Sequence, residues 1–118
     1  DADAGAAVAV ACEPAPMRAE TARAAALVLC ELVANALRHA FGPGAPGQVE
    51  VTGARMADRS YRLTVADRGR GLPDAFTLEG DGLGLRLVRM LAAQLDARLD
   101  VSGGGGARFD LTIPASRL

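Results

Sequence analysis

The chain has 118 residues, half of them hydrophobic, and its 13 basic residues nearly balance 14 acidic ones to leave a net charge of −1. That length supports one domain with a single core and is too short for two. The near-neutral charge argues against a nucleic-acid partner. Every basic residue is an arginine. A phosphate site must therefore use guanidinium or backbone N–H groups, and a P-loop lysine is excluded.

The two cysteines, Cys12 and Cys30, match no metal-binding spacing, and the single histidine cannot complete a site with them. Their apolar neighbours predict buried, reduced thiols, as is typical of a cytosolic domain. No apolar run is long enough to cross a membrane. The chain begins at Asp1 rather than methionine, so we expect a cytoplasmic piece of a longer protein, which could itself be soluble or membrane-anchored.

Hydrophobic periodicity and turn residues predict seven elements in the order strand, helix, strand, strand, helix, strand, strand. Their predicted spans are 6–12, 19–41, 48–56, 61–66, 83–95, 98–102 and 107–113. The first strand is predicted to be buried, and the second and third to pair as a hairpin, as do the last two. This order predicts one α+β domain over residues 1–118, a two-layer sandwich whose mixed sheet is covered on one face by helices.

The first predicted helix carries a polar stripe formed by Glu31, Asn35, Arg38 and His39. At about 100° per residue, their spacing of i, i+4, i+7 and i+8 places them on one side of the helix. An ordinary solvated face is the simpler interpretation. Asparagine is unfavourable inside a helix, however, because its amide competes for backbone hydrogen bonds. Asn35 is therefore a candidate oxygen ligand for a hard cation.

The apolar residues of that helix are predicted to face the core from the opposite side. They are Leu29, Val33, Ala36, Leu37 and Ala40.

A second candidate motif, Asp67-Arg-Gly-Arg-Gly71, follows directly after a predicted strand. An aspartate at a strand end can be held rigidly and partly buried, and the glycines at 69 and 71 let the backbone approach a flat ligand closely. Aspartate and glycine are also common turn residues, so a plain turn remains an alternative.

A third motif, Gly80-Asp-Gly-Leu-Gly84-Leu85, opens the second predicted helix. Unpaired N–H groups and the helix dipole make such a junction favourable for phosphate, and Arg86 could add positive charge. A flexible loop with a glycine-permitted helix start is the alternative. A dinucleotide-binding glycine motif does not fit, because it should follow a strand immediately.

Taken together and in this order, the motifs resemble those of the GHKL superfamily of ATP-binding domains, over residues 8–114. Glu31-Leu-Val-Ala-Asn35-Ala-Leu-Arg-His39 resembles the N box, Asp67-Arg-Gly-Arg-Gly71 the G1 box, Gly80-Asp-Gly-Leu-Gly84-Leu85 the G2 box, and Gly106-Ala-Arg-Phe109 the last glycine box. Within the superfamily, the chain is most similar to catalytic domains of bacterial sensor histidine kinases, in particular a short-lid, HWE-like group. The resemblance implies the Bergerat fold.

The resemblance also implies roles for individual residues. Asp67 would accept a hydrogen bond from the adenine 6-amino group, Asn35 would hold Mg²⁺ with phosphate oxygens, and Glu31 would be the catalytic residue. The other implied ATP-binding residues are Arg38, His39, Gly69, Gly71, Gly80, Gly82, Leu83 and Gly84.

The implied reaction is transfer of the γ-phosphoryl group of Mg-ATP to a histidine on a separate dimerisation domain, with a response regulator downstream. His39 is a poor acceptor because it lies inside the N box. The chain alone is expected to be monomeric and the longer protein dimeric, without a nucleic-acid partner.

One departure from the family pattern is Ala107, where the last glycine box usually carries a threonine. The missing hydroxyl is expected to weaken nucleotide affinity by about 1 kcal/mol. Three alternatives stay open: an anti-sigma-factor-type serine kinase, a binding module without catalysis, and a hydrolase of the gyrase or chaperone type.

Overall fold

The computed structural model describes residues 7–39, 48–67, 82–103 and 106–118. In chain order the elements are β1 (Ala7–Cys12), α1 (Ala19–His39), β2 (Gln48–Arg55), β3 (Tyr61–Asp67), α2 (Gly82–Gln94), β4 (Arg98–Gly103), β5 (Ala107–Ile113) and a 3₁₀ helix (Ala115–Arg117). The predicted order is confirmed. Where both sides of a boundary are described, prediction and structure differ by at most one residue.

The five strands form one sheet in the order β1-β2-β3-β5-β4. β1 runs parallel to β2, and the other neighbours are antiparallel, including the predicted hairpins β2–β3 and β4–β5. The parallel pair follows from the connection through α1, since two parallel neighbours need a crossover rather than a tight turn. The predicted mixed sheet and α+β class are confirmed.

The core lies between the two helices and one face of the sheet. Alternation in β2 buries Val49 and Val51, whereas Thr52 is exposed and Glu50 half-buried. The remaining large, fully buried side chains come from both helices and from β5: Val28, Leu32, Val88, Leu111 and Ile113. Neither of the helices in the described part of the chain combines the length and apolarity that a bilayer crossing needs.

The prediction that the first strand is buried was wrong. β1 lies at the sheet edge, and Val8 and Val10 are 44% and 66% exposed although their partners in β2 are buried. Helix α1 contacts β2 and β3, so β1 lies beside the helical layer rather than under it. Cys12, at the end of this edge strand, is consequently exposed.

The prediction that Cys30 is buried was also wrong, since its side chain is exposed on α1. The buried row of α1 runs through Val28, Leu32 and Ala36, and Cys30 projects from the opposite side of the helix. For the same reason Leu37, which was predicted to face the core, is 39% exposed.

Hydrogen bonds connect Tyr61, at the start of β3, to the segment that follows β1. The Tyr61 hydroxyl donates a hydrogen bond of 2.7 Å to the Glu13 carbonyl, and the Glu13 amide donates to the Gly53 carbonyl at 2.9 Å. Tyr61 lies over Gly53, where an added Cβ would overlap its hydroxyl and ring. Gly53 is therefore required by close approach of the tyrosine ring.

Gly53→Ala is expected to destabilise the domain by about 1–3 kcal/mol, as is typical of overpacking a filled site. Thermal or denaturant unfolding measures the change. The matched background is Tyr61→Phe, which removes the nearest clashing atom. In the Tyr61→Phe background, the added methyl group should lower the free energy of unfolding by less. An equal loss of stability in both backgrounds would contradict the assigned clash.

The opposite face of the sheet is polar and carries its own network around Asp110. Its carboxylate accepts hydrogen bonds from Thr64 Oγ1 at 2.5 Å and from Arg108 Nε at 3.0 Å. Partial burial alone would raise the pKa of Asp110, but the hydrogen bonds from Arg108 and Thr64 and the neighbouring arginine charges outweigh it and hold that pKa below its ordinary value. None of these residues, Thr64, Arg108 and Asp110, is among the predicted site residues.

Candidate functional site

Residues of the polar stripe lie in the second half of α1. Glu31 and Asn35 are one helical turn apart, and both are half-buried rather than solvated. Arg38 and His39 belong to the last turn of the helix, and their side chains lie outside what the structure describes. The interpretation of the stripe as an ordinary solvated face therefore fails for Glu31 and Asn35.

Asp67 is the last residue of β3, and it is a charged group that is buried, at 8% exposure. It shares the helix-facing side of the strand with Leu63 and Val65. Its Oδ1 accepts a hydrogen bond of 3.2 Å from the backbone amide of Ala107, the first residue of β5. The carboxylate is thus buried and placed at the strand end, as predicted from the sequence. It is also oriented by the main chain of a neighbouring strand, which was not predicted.

The start of α2 meets Glu31 of α1. A Cβ built on Gly84 would lie 2.5 Å from Glu31 Oε1, so the carboxylate occupies the space that a side chain at residue 84 would fill. The predicted N-box and G2-box residues are therefore in contact. A negative charge near a helix N-terminus is also favoured by the helix dipole.

The remaining predicted residues are only partly covered by the structure. Gly82, Leu83 and Gly84 form the first three positions of α2, although nothing of the Leu83 side chain is described. Gly69, Gly71 and Gly80 lie outside the described residues. The expectation that these glycines allow close approach of a nucleotide remains a prediction.

Sequence reasoning missed the role of the Ala107 main chain. Ala107 drew attention only because it lacks the hydroxyl of a threonine, yet its amide orients the Asp67 carboxylate. A backbone donor is the same for every residue except proline, so no side-chain pattern could reveal it. The alternation of β5, which places Ala107 on the buried side with Phe109 and Leu111, was the only available signal.

The donor set on α1 fits a magnesium ion held mainly by nucleotide phosphates. Mg²⁺ in such sites takes only one or two protein oxygens, with phosphate oxygens and water completing the octahedron. Asn35, at the half-buried side of α1, would supply one such oxygen from its side-chain amide. In the described part of the chain no cluster of three or more His, Cys, Asp or Glu residues could hold a metal ion without the nucleotide.

Comparison with known proteins identifies the family. Residues 20–117 match the family model described as histidine kinase-, DNA gyrase B-, and HSP90-like ATPase. The chain is 40% identical over 100 residues to blue-light-activated histidine kinase 2 of Erythrobacter litoralis, an alignment that covers 83% of this chain and 29% of the relative. It is 41% identical over 103 residues to the sensor histidine kinase PdtaS of Mycobacterium tuberculosis, covering 83% of this chain and 20% of that protein.

Structural comparison agrees with the sequence matches. The Erythrobacter litoralis EL346 blue-light activated histidine kinase superposes with a TM-score of 0.89 and 36% identity, over 95% of this chain and 36% of that one. The chain spans less than a third of the length of the two relatives that match it in sequence, blue-light-activated histidine kinase 2 and PdtaS. Because the family model covers most of the chain and the fold agrees, this protein belongs to the histidine kinase-, DNA gyrase B-, and HSP90-like ATPase family, as an ATP-binding domain of the histidine kinase type.

Proposed function

We propose that this domain transfers the γ-phosphoryl group of Mg-ATP to a histidine on a separate dimerisation domain, from which a response regulator takes it. The observation that carries the proposal is the identity of about 40% to a histidine kinase over most of the chain. The buried Asp67 and the Glu31–Gly84 contact support it, since both lie in motifs that the proposal needs.

In this proposal Asp67 selects adenine. A carboxylate only accepts hydrogen bonds, so it pairs with the 6-amino group of adenine and repels the 6-oxo group of guanine. The Ala107 amide holds the carboxylate in place. As the family resemblance implies, Gly69 and Gly71 would leave room for the base, and the amides at Gly80, Gly82, Leu83 and Gly84 would receive the phosphates.

The second half of α1 serves the reacting phosphates. Arg38 and His39 would contact phosphate oxygens, as the family resemblance implies, and Glu31 would orient the incoming imidazole. Asn35 would hold Mg²⁺ together with phosphate oxygens, and the ion would neutralise charge on the transferring group. The imidazole nitrogen forms a bond to the γ-phosphorus while the bond to the β–γ bridging oxygen breaks, and ADP leaves. Catalysis of this kind depends on positioning and charge neutralisation.

Transfer is tested by mixing the chain with γ-labelled ATP, Mg²⁺ and the histidine-bearing dimerisation domain assigned to the longer protein, expressed as a separate chain. We expect acid-labile, base-stable label on the dimerisation domain and none on the ATP-binding chain alone. A control in which the acceptor histidine is replaced by glutamine should remain unlabelled. Acid-stable label would instead indicate serine transfer, and ATP binding without any transfer would indicate a binding module.

The magnesium assignment predicts a specific effect of Asn35→Asp. The added charge strengthens attraction to a divalent cation but brings a second carboxylate toward the phosphates, so the dependence of ATP affinity on Mg²⁺ should become steeper. Calorimetry of ATP binding with and without Mg²⁺ measures this. The control is Cys30→Ser, an exposed change elsewhere on α1, which should behave as wild type. Equal affinities for wild type and Asn35→Asp under both conditions would remove Asn35 from the metal site.

A further inference from the structure

Gly84 is the point where α2 meets the Glu31 carboxylate. A Cβ built there lies 2.5 Å from Oε1 and 3.6 Å from Cδ, so it is the carboxylate oxygen that approaches residue 84. A Cβ essentially never comes within 3.0 Å of a heavy atom that lies outside its own residue and the two chain neighbours. Any side chain at this position would therefore require the Glu31 carboxylate to move.

Backbone conformation does not explain why residue 84 is a glycine. Among the described glycines, only Gly106 adopts a positive φ, of 134°. Gly84 has ordinary helical backbone in the first turn of α2, where every residue type except proline favours the helix more than glycine does. Two explanations remain, namely close approach of a phosphate group and room for Glu31.

We propose that Gly84 is a positioning residue, which fixes the Glu31 carboxylate for phosphoryl transfer by leaving open the space that the carboxylate fills. The inference rests on the proposed function, in which Glu31 orients the attacking imidazole. The atom that must yield to a methyl group at residue 84 is the far end of a flexible side chain. Gly84→Ala therefore displaces the carboxylate and leaves the two helices packed.

The displacement itself is measured without any catalysis. In NMR spectra that select side-chain carboxyl carbons, the Glu31 resonance is expected to shift in Gly84→Ala and to stay in place in Met90→Ala, an exposed change further along α2. The melting temperature of Gly84→Ala should equal or exceed that of wild type, because alanine favours the helix. An unmoved Glu31 resonance, or a marked loss of stability, would overturn the inference even if the domain transfers phosphate.

Transfer rates of Gly84→Ala, measured in the wild-type and Glu31→Gln backgrounds, then distinguish the two explanations for a glycine at residue 84. At saturating ATP, Gly84→Ala should lower the transfer rate on the order of tenfold to a hundredfold, as misplacement by about an ångström does. In a Glu31→Gln background the same change should have little further effect on that rate. If Gly84→Ala instead weakens ATP binding equally in both backgrounds, the glycine serves phosphate approach alone and the inference is wrong. Absence of transfer by wild type contradicts the proposed function, while the carboxyl resonance still tests the contact.

Discussion

Asp67→Asn is expected to lower the affinity for ATP by about ten- to a hundredfold while leaving the domain folded. The asparagine Oδ1 can still accept the hydrogen bond that the Ala107 amide donates to Asp67 in the structure. Its Nδ2 then replaces the other carboxylate oxygen, and a donor faces the 6-amino donor of adenine. The change therefore removes the acceptor from the ligand and keeps the contact that orients the residue.

Nucleotide selectivity makes this prediction sharper. Wild type should bind ATP well ahead of GTP, and Asp67→Asn should narrow or reverse that preference, since its amide can donate to the 6-oxo group of guanine. Asp67→Ala serves as the companion variant, which loses both the ligand acceptor and the partner of the Ala107 amide. Calorimetry with both nucleotides, beside a thermal melt of each variant, provides the measurement. If Asp67 were only a turn residue, the variants would lose stability without a change in nucleotide preference.

Glu31→Gln is expected to lower the rate of phosphoryl transfer by about a hundredfold at saturating ATP, the smaller end of the range for a group that positions or moves a proton in a reaction. Glutamine keeps the length and shape of the side chain, so the contact with Gly84 and the packing of α1 on α2 should persist. Affinity for ATP should change little, because the role assigned to Glu31 concerns the attacking group rather than the nucleotide.

The two parts of that prediction are checked separately. Single-turnover transfer to the dimerisation domain gives the rate, and calorimetry gives the affinity. Cys30→Ser again supplies a matched control on the exposed side of α1. A Glu31→Gln variant that transfers phosphate at the wild-type rate would show that the carboxylate is structural.

Much of the fold follows from local sequence signals. Alternating valines in β2, the apolar rows of both helices and the glycines before β5 each specify an element, and the structure confirms their order. The burial of β1 could not be predicted this way, because Val8 and Val10 alternate like core residues whether or not a helix covers them. Which strand lies at the edge depends on the path of the whole chain, and that same path leaves Cys12 exposed.

The candidate site, like the fold, could be predicted only in part. Glu31 and Asn35 were predicted because they share a polar stripe on one helix, and Asp67 because it follows directly after a strand. Their contacts with other segments were not predictable, because they join groups that are distant in sequence. Asp67 accepts a hydrogen bond from the amide of Ala107, and the Glu31 carboxylate fills the space beside Gly84. Spacing along one helix indicates which side chains share a side, but only the packing of α1 on α2 shows what they meet.

The proposed ATP site lies on the helical side of the sheet, between the second half of α1, the end of β3 and the start of α2. The most direct test is a titration of the isotope-labelled chain with Mg-ATP, followed by amide NMR. We expect the largest chemical-shift changes at Glu31, Asn35, Asp67, Gly84 and Ala107. Thr64 and Asp110, on the opposite face of the sheet, should remain unchanged, and GTP should produce weaker changes at equal concentration. Shifts centred on Thr64 and Asp110, or no saturable shifts with ATP, would contradict this location of the ATP site.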